Sequence, residues 1–497
     1  MTTTIIRGGR VLDVAGRRAE PGDVLVEGDT IREVGRPGLP APAGATLIDA
    51  RDRLVMPGLV NAHTHGHGGL ARGLIGDRVP LELLLTQAAA LNGNRTLEDK
   101  RLSALLSAVE MVRRGCTAFY DLHVEFPVPT VEGLHAVARA YLDVGIRAVV
   151  APMMADRTLY AALPGLMEAL PPDARARVGA LAAPPWETSI AACRELLRAW
   201  PFDRDRVRPA LGPTIPLHCS DEFLVACRDL AREHDVALQT HLAESKTQAV
   251  VGRARYGKTL AAHLGDLGLL GPRFSAAHGV WLDRDDVRRL ADAGAGVSHN
   301  PLSNLRLGSG IAPVRMMLDA GLRVGIGTDS ASSADAQNMF ECVRLAAYLS
   351  RVRTPDYERW IGVWEALAMA TEGSAGVLGM ERIGRLAPGY KADVVLLDLA
   401  HVNYVPLNDL AVQLVMGETG AAVDSVMIGG RMVLERGRLL TVDEAKLRAR
   451  AEEARARLAA ANAEARAAAA ALQPFVGAFC VAMASRPYDL DAREPRL

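Results

Sequence analysis

The chain has 497 residues, 49% of them hydrophobic and 23% charged, with a formal net charge of −1. That length exceeds one small domain and suits a large barrel with a smaller companion. The even charge balance offers no basic excess for nucleic acid and no charged block for a membrane surface.

The N-terminal run MTTTIIRGGRVLDVAG lacks a charged segment followed by an apolar one, so no leader peptide is expected. No apolar stretch is read as reaching the roughly 20 residues that span a bilayer, and a cytoplasmic location is the expectation. Short strand-like runs follow at Thr4–Ile6, Arg10–Leu12, Asp23–Glu27, Thr30–Val34, Thr46–Ile48 and Arg53–Met56, separated by Gly, Pro and Asp turns. Gly28-Asp29 between two such runs suits a hairpin. The same signal returns late, at Ala392–Leu397, Val423–Ile428 and Arg431–Leu434. The two chain ends are therefore expected to share one small β domain, with the rest inserted between them.

The middle alternates apolar strand-like runs with amphipathic helical stretches. The runs are LVNAH (59–63), CTAFYDL (116–122), AVVAPMM (148–154), VRPALGP (207–213), VALQTHL (236–242), FSAAHG (274–279), GAGVSHN (294–300) and LRVGIGTD (322–329). Helices are expected near 98–114 and 131–144. Repeated β-α units argue for a parallel sheet with helices outside, and eight argue for closure. A doubly wound sheet shares the pattern, but no Gly-x-Gly-x-x-Gly follows a strand. The expected fold is α/β: a (β/α)8 TIM barrel over 58–384, a small β-sandwich from 1–57 and 385–442, and a C-terminal helix and tail over 443–497. Asp443–Leu472 reads as one long helix, either solvated, packed or an oligomer contact. The polar end SRPYDLDAREPRL reads as a surface tail. Six scattered cysteines with no Cys-x-x-Cys pair predict free thiols and no thiolate metal site.

His63-Thr64-His65 carries the first chemical signal. In a strand, residues i and i+2 face the same side, so two imidazoles can share a cation. His67 repeats the spacing in the following glycine-containing loop, with substrate lining or no role. His241, His278 and Asp329 each end another apolar strand, and Glu244 follows three residues after His241. Each alone is weak; a barrel brings all strand C-termini to one rim, where these groups would share a pocket. Three imidazoles and a carboxylate suit one divalent ion, zinc or iron(II).

The runs MPGLVNAHTHGHGGLARGL, HLAES, AAHGVWL, VSHNPLSNLRLGSGIAPV and GIGTDSASS together resemble the amidohydrolase superfamily. The likeness is to the branch of cytosine and guanine deaminases, adenosine-type deaminases and triazine hydrolases, over roughly residues 1–440, with RLAPGYKADVVLLDL matching the return into the small β domain. It implies that His63, His65, His241 and Asp329 bind one ion, while Glu244 and His278 face its water. No carboxylated lysine is implied, and no lysine lies in the strand-end runs between Ala148 and Pro213. Water activated by the ion would attack an electron-poor ring carbon. Asp329 would orient it and take its proton, His278 would hydrogen-bond to it, and Glu244 would protonate the adjacent ring nitrogen.

The resemblance points to His123, His299, Asn300 and Thr214 as substrate contacts. Glu82 lies where nucleoside deaminases can carry a ribose-binding carboxylate, although Leu83 replaces the usual tryptophan and a solvated helix charge is the simpler reading. His123 reads equally as a rim histidine, and Asn300, Pro301, Ser303 and Asn304 as a plain turn. The fourth strand ends GPT instead of GPH, so Thr214 stands where a purine-contacting histidine is usual; His218, four residues on, need not reach. An arginine usual after the third strand is not evident in APMMADR. These departures predict a ring smaller than, or decorated differently from, adenosine. The expected activity is hydrolytic deamination of an amino-substituted N-heterocycle of purine, pterin, pyrimidine or s-triazine type. The alternatives are cleavage of another C–N, C–Cl or C–S bond, or of a cyclic amide or amidine, at the same site. A non-catalytic scaffold is a third reading and predicts missing ligands, yet all four are present. Expected partners are a small heterocycle and further copies of the chain as a homodimer or larger, with no nucleic acid and no membrane.

Overall fold

The computed structural model describes residues 2–380 and 382–488. The N-terminal segment forms β1 (Thr3–Asp13), β2 (Arg18–Glu27), β3 (Thr30–Gly35), β4 (Thr46–Asp49) and β5 (Arg53–Pro57). Glu27 pairs with Thr30, so Gly28-Asp29 is the two-residue hairpin turn, and Gly28 has the positive φ of +61° that such turns require.

Eight strands then run parallel in one sheet: β6 (Leu59–Thr64), β7 (Cys116–Val124), β8 (Arg147–Met154), β9 (Val207–Pro213), β10 (Ala237–Leu242), β11 (Phe274–His278), β12 (Gly296–His299) and β13 (Arg323–Ile326). They neighbour one another in chain order, as in a TIM barrel. Nearly every residue of these strands is buried, which is why they read as apolar runs without alternation. The circle closes between its first and last strands, where the Asp329 N–H donates to the His63 carbonyl at 3.0 Å. Asn61 extends that seam. Its Oδ1 accepts the Thr328 N–H at 3.1 Å and its Nδ2 donates to Thr328 Oγ1 at 2.7 Å. A buried side-chain amide thus supplies the pairing that the backbone leaves unmade there.

The helices after the strands are delimited locally. Leu97–Arg113 starts at a capping box of Thr96 and Asp99, and Val131–Val144 stops at Gly145 in the left-handed conformation.

The chain end adds β14 (Val394–Asp398), β15 (Val423–Ile428), β16 (Arg431–Glu435) and β17 (Arg438–Leu439). Both ends share a nine-stranded sheet, ordered β17-β16-β15-β14-β5-β1-β2-β3, with β4 beside β1. The sheet curls, so Val24, Val26 and Ile31 share one apolar cluster with Val394, Leu396 and Met427. Arg147, at the start of β8, ties this sheet to the barrel: its Nε donates to Asp393 Oδ2 at 2.8 Å, both side chains buried.

The C-terminal region differs from expectation. The one helix expected over Asp443–Leu472 is two, Glu444–Ala461 and Ala463–Ala484. They part at Asn462, whose side chain leaves the helical pattern to donate to Gly93 O at 3.1 Å and accept from Asn94 Nδ2 at 2.9 Å. The second helix runs past Pro474 and is long and apolar enough to cross a membrane, which corrects the expectation that no such stretch exists. Here Leu472, Val476, Cys480 and Met483 are its buried stripe, packed against the helices Leu81–Thr86, Ala88–Asn92 and Lys246–Tyr256. The tail folds back as far as Tyr488, whose ring meets Trp281 edge-on at 6.1 Å; its last nine residues lie outside the described residues. All six cysteines are free and buried.

Arg147→Met removes the cation and leaves Asp393 buried without it. A stability loss of about 3–5 kcal/mol is expected, read as a lower denaturant midpoint.

Candidate metal centre and substrate cavity

The barrel mouth collects side chains from four strand ends. His63 and His65 end β6 with ring centroids 4.7 Å apart. His241 near the end of β10, His278 at the end of β11 and Asp329 after β13 close on the same point, and all five are buried. His278 and Asp329 have positive φ values of +73° and +61°. That strained backbone, costing about 1–2 kcal/mol per residue, turns each out of its strand at the barrel mouth.

Every imidazole is held by an oxygen on Nδ1. His63 Nδ1 meets Gln239 Oε1 at 2.8 Å, His65 Nδ1 meets the Leu122 carbonyl at 2.6 Å, and His241 Nδ1 meets the Thr214 carbonyl. His278 Nδ1 meets Asn304 Oδ1 at 2.9 Å. Oxygen acceptors there keep the ring proton on Nδ1 and leave Nε2 as a lone pair. The result is a set of acceptors aimed at one another: His65 Nε2 lies 3.2 Å from His241 Nε2 and 3.2 Å from Asp329 Oδ1. The buried Nε2 atoms of His63 and His278 have no hydrogen-bond partner among the described residues. The ligand atoms of His63, His65 and His241 lie within 4.8 Å of one another, as do those of His63, His278 and Asp329. Lone pairs gathered without donors in a buried space repel; a divalent cation among them turns the repulsion into bonds. The donor set fits such an ion.

The carboxylate is fixed in the same way. Asp329 Oδ2 accepts from Ser303 Oγ at 2.5 Å and Oδ1 from the Ser330 N–H at 2.8 Å. Glu244 stands opposite, buried, with Oε2 3.6 Å from His278 Nε2. Burial, and then the negative charges of Asp329 and Glu82, push its carboxyl well above the ordinary carboxylate range. Burial lowers His278 to about 4. Burial thus disfavours the charged form of both facing groups.

Above this floor lies a cavity of about 360 Å³. His65, His241, Glu244, His278 and Asp329 border it, under walls that include Leu81, Leu84, Leu85, Leu91, Val124, Phe126 and Met153. Thr214 is on the wall. His218, which need not have reached the cavity, borders it as well. Arg157, the last residue of the run APMMADR and three residues past the end of β8, borders the cavity, which corrects the expectation that no arginine follows the third strand.

Four expected substrate contacts do not line the cavity. In the helix Leu81–Thr86, Leu81, Leu84 and Leu85 take the cavity face by their i, i+3, i+4 spacing. Glu82 is thereby turned behind it, where it is buried, not solvated, and accepts from Ser245 Oγ at 2.5 Å. His123 is buried with Nδ1 3.4 Å from Asp121 Oδ2. His299 and Asn300 lie inside the barrel wall, where the His299 carbonyl takes the Gly327 N–H at 2.9 Å and Asn300 Oδ1 takes Ser298 Oγ at 2.8 Å.

The residues that orient these groups leave little trace in the sequence. Gln239 sits two residues before His241, on the same side of β10, and a lone amide in the run VALQTHL is its only trace in the sequence. Ser303 and Asn304 read as a turn, and do open the short helix Pro301–Arg306, yet they also hold Asp329 and His278.

Residues 54–433 match the model of the amidohydrolase family. The chain is 33% identical over 446 residues to a 5-methylthioadenosine/S-adenosylhomocysteine deaminase of Syntrophomonas wolfei, covering 89% of this chain and 96% of that one. It is 32% identical over 455 residues to a 5'-deoxyadenosine deaminase of Methanosarcina mazei, covering 91% and 97%. Among solved structures, an atrazine chlorohydrolase of Arthrobacter aurescens complexed with zinc superposes with a TM-score of 0.81 at 31% identity, over 90% of this chain and 99% of that one. A convergent buried donor set at the mouth of an eight-stranded barrel, together with this similarity along most of its length, makes the chain a member of the amidohydrolase family.

Proposed function

We propose that the protein is a zinc-dependent hydrolytic deaminase of an amino-substituted N-heterocycle, with a 6-aminopurine bearing an apolar substituent as the leading substrate. The observation that carries the reading is the pairing of a donor-free cluster of Nε2 atoms with a buried acid, Glu244, on the opposite side of the same floor.

His63, His65, His241 and Asp329 would hold the ion, which when bound supplies a water acidic enough to ionise near pH 7. The remaining work belongs to the chain. Ser303 and the Ser330 amide fix the Asp329 carboxylate, which orients the attacking water and takes its proton. Asn304 keeps the His278 proton on Nδ1, so Nε2 accepts a hydrogen bond from that water. Glu244, kept protonated by its dry surroundings, gives its proton to the ring nitrogen beside the attacked carbon and makes that carbon a better electrophile. The proton taken by Asp329 passes to the amino group, which leaves as ammonia, and the proton of the added hydroxyl returns to Glu244 as the ring carbonyl forms.

The relatives named as 5-methylthioadenosine/S-adenosylhomocysteine and 5'-deoxyadenosine deaminases support the purine, and the leucine-rich wall suits an apolar 5' group such as a methylthio or a methyl. Thr214 remains the feature that argues for a differently decorated ring. A second reading, displacement of another group such as chloride from the same carbon, draws on the likeness to the atrazine chlorohydrolase.

Ammonia and chloride release from the zinc-loaded protein over 5'-methylthioadenosine, 5'-deoxyadenosine, guanine, cytosine, a pterin, melamine and atrazine separates the two. Chloride from atrazine with no ammonia from any amine would overturn deamination. Glu244→Gln is expected to keep stoichiometric zinc and lose ~10²–10⁴-fold in kcat; full activity would refute the acid assignment. His241→Ala is expected to lose the metal, measured by elemental analysis. Gln239→Leu frees the His63 tautomer and is expected to weaken zinc binding ~10–100-fold in chelator competition.

A further inference from the structure

The loop after β6 carries a third imidazole that the mechanism above does not use. His67 borders the cavity, with its ring centroid 5.1 Å from that of His65. Its Nδ1 accepts the Val124 N–H at 3.2 Å. A ring nitrogen that accepts cannot carry the proton, so the neutral ring places it on Nε2. His67 is thus the opposite tautomer to His63, His65, His241 and His278, which all carry the proton on Nδ1. Its Nε2–H makes no hydrogen bond among the described residues.

The backbone beneath it is fixed. The His67 carbonyl accepts Arg95 at 2.6 Å and Ser103 Oγ at 2.8 Å. The Gly66 carbonyl accepts Ser103 and Ser107, and the Gly66 N–H donates to the buried Asp121 carboxylate at 2.7 Å. A donor held this firmly beside an apolar wall needs an acceptor, and leaving it unmet opposite a bound ring costs affinity. His218, the other wall imidazole, has no side-chain hydrogen bond among the described residues that sets its tautomer. Thr214 carries no ring at all.

Resting on the deaminase reading, we propose that His67 is a specificity-determining residue whose Nε2–H donates to an acceptor on the substrate ring, at an edge other than the one Glu244 protonates. In a purine whose N1 meets Glu244, that acceptor is N3 or N7. The cavity then reads its substrate from two sides, through a proton donor at one ring nitrogen and a hydrogen-bond donor at a second. Heterocycles with one ring nitrogen are excluded.

The test compares kcat/KM for 5'-methylthioadenosine with that for its 3-deaza and 7-deaza analogues, in the zinc-loaded wild type and in His67→Phe and His67→Gln. Wild type is expected to disfavour one deaza analogue ~10–100-fold, the worth of a neutral hydrogen bond in a desolvated site. His67→Phe should compress that ratio to within ~3-fold, chiefly by raising KM for the parent purine, at unchanged zinc content. His67→Gln, which keeps an N–H donor, should restore part of it. Ammonia release with the same discrimination in His67→Phe as in wild type overturns the assignment of His67 alone. No ammonia from any amino-heterocycle overturns the deaminase reading beneath it.

Discussion

The imidazoles of His63, His65, His241 and His278 and a carboxylate oxygen of Asp329 converge in a buried space as two overlapping triads, and an oxygen beside each Nδ1 draws the ring proton away from the shared centre. That electrostatic conflict is the constraint around which the barrel mouth is organised. A protein does not gather unpaired acceptors in a dry pocket unless a cation resolves them, because each one loses its hydration on burial. The arrangement holds only if each ring is prevented from turning its N–H inward. Gln239, the Leu122 carbonyl, the Thr214 carbonyl and Asn304 each provide an oxygen on the Nδ1 side.

Those oxygens come from the barrel itself. Leu122 lies in the strand next to His65, and the Thr214 carbonyl caps the strand next to His241. Parallel pairing therefore sets both a ligand and its orienting acceptor in one step. The seam between β6 and β13 matters for the same reason, since the Asp329 amide and the His63 carbonyl share the hydrogen bond that closes the circle. Loosening the seam would move two of the five groups at once.

Function divides between this floor and the wall above it. In the proposed reaction the floor carries the charge and the proton transfers; the wall is mostly apolar, with polar points that include His67, Thr214, Arg157 and His218. The helix Ala463–Ala484 packs behind the segment that supplies Leu81, Leu84 and Leu85, so a region outside the family match supports one side of the cavity.

Much of this was legible in the residues. The eight apolar runs, the strand-like signals at both chain ends, and the strand-end positions of His63, His65, His241, His278 and Asp329 follow from periodicity and from what a closed barrel does to its strand ends. What the sequence could not decide was direction. Glu82 reads as a solvated helix charge until packing turns Leu81, Leu84 and Leu85 inward and buries it beside Ser245. His67 and His123 carry the same side chain, yet one opens on the cavity and the other is sealed behind it. The proton position on each imidazole depends on an oxygen brought from elsewhere, 176 residues away for Gln239 and His63. Local sequence fixes which strand a residue ends; only the closed barrel determines which groups it meets, because those contacts are made between strands far apart in the chain.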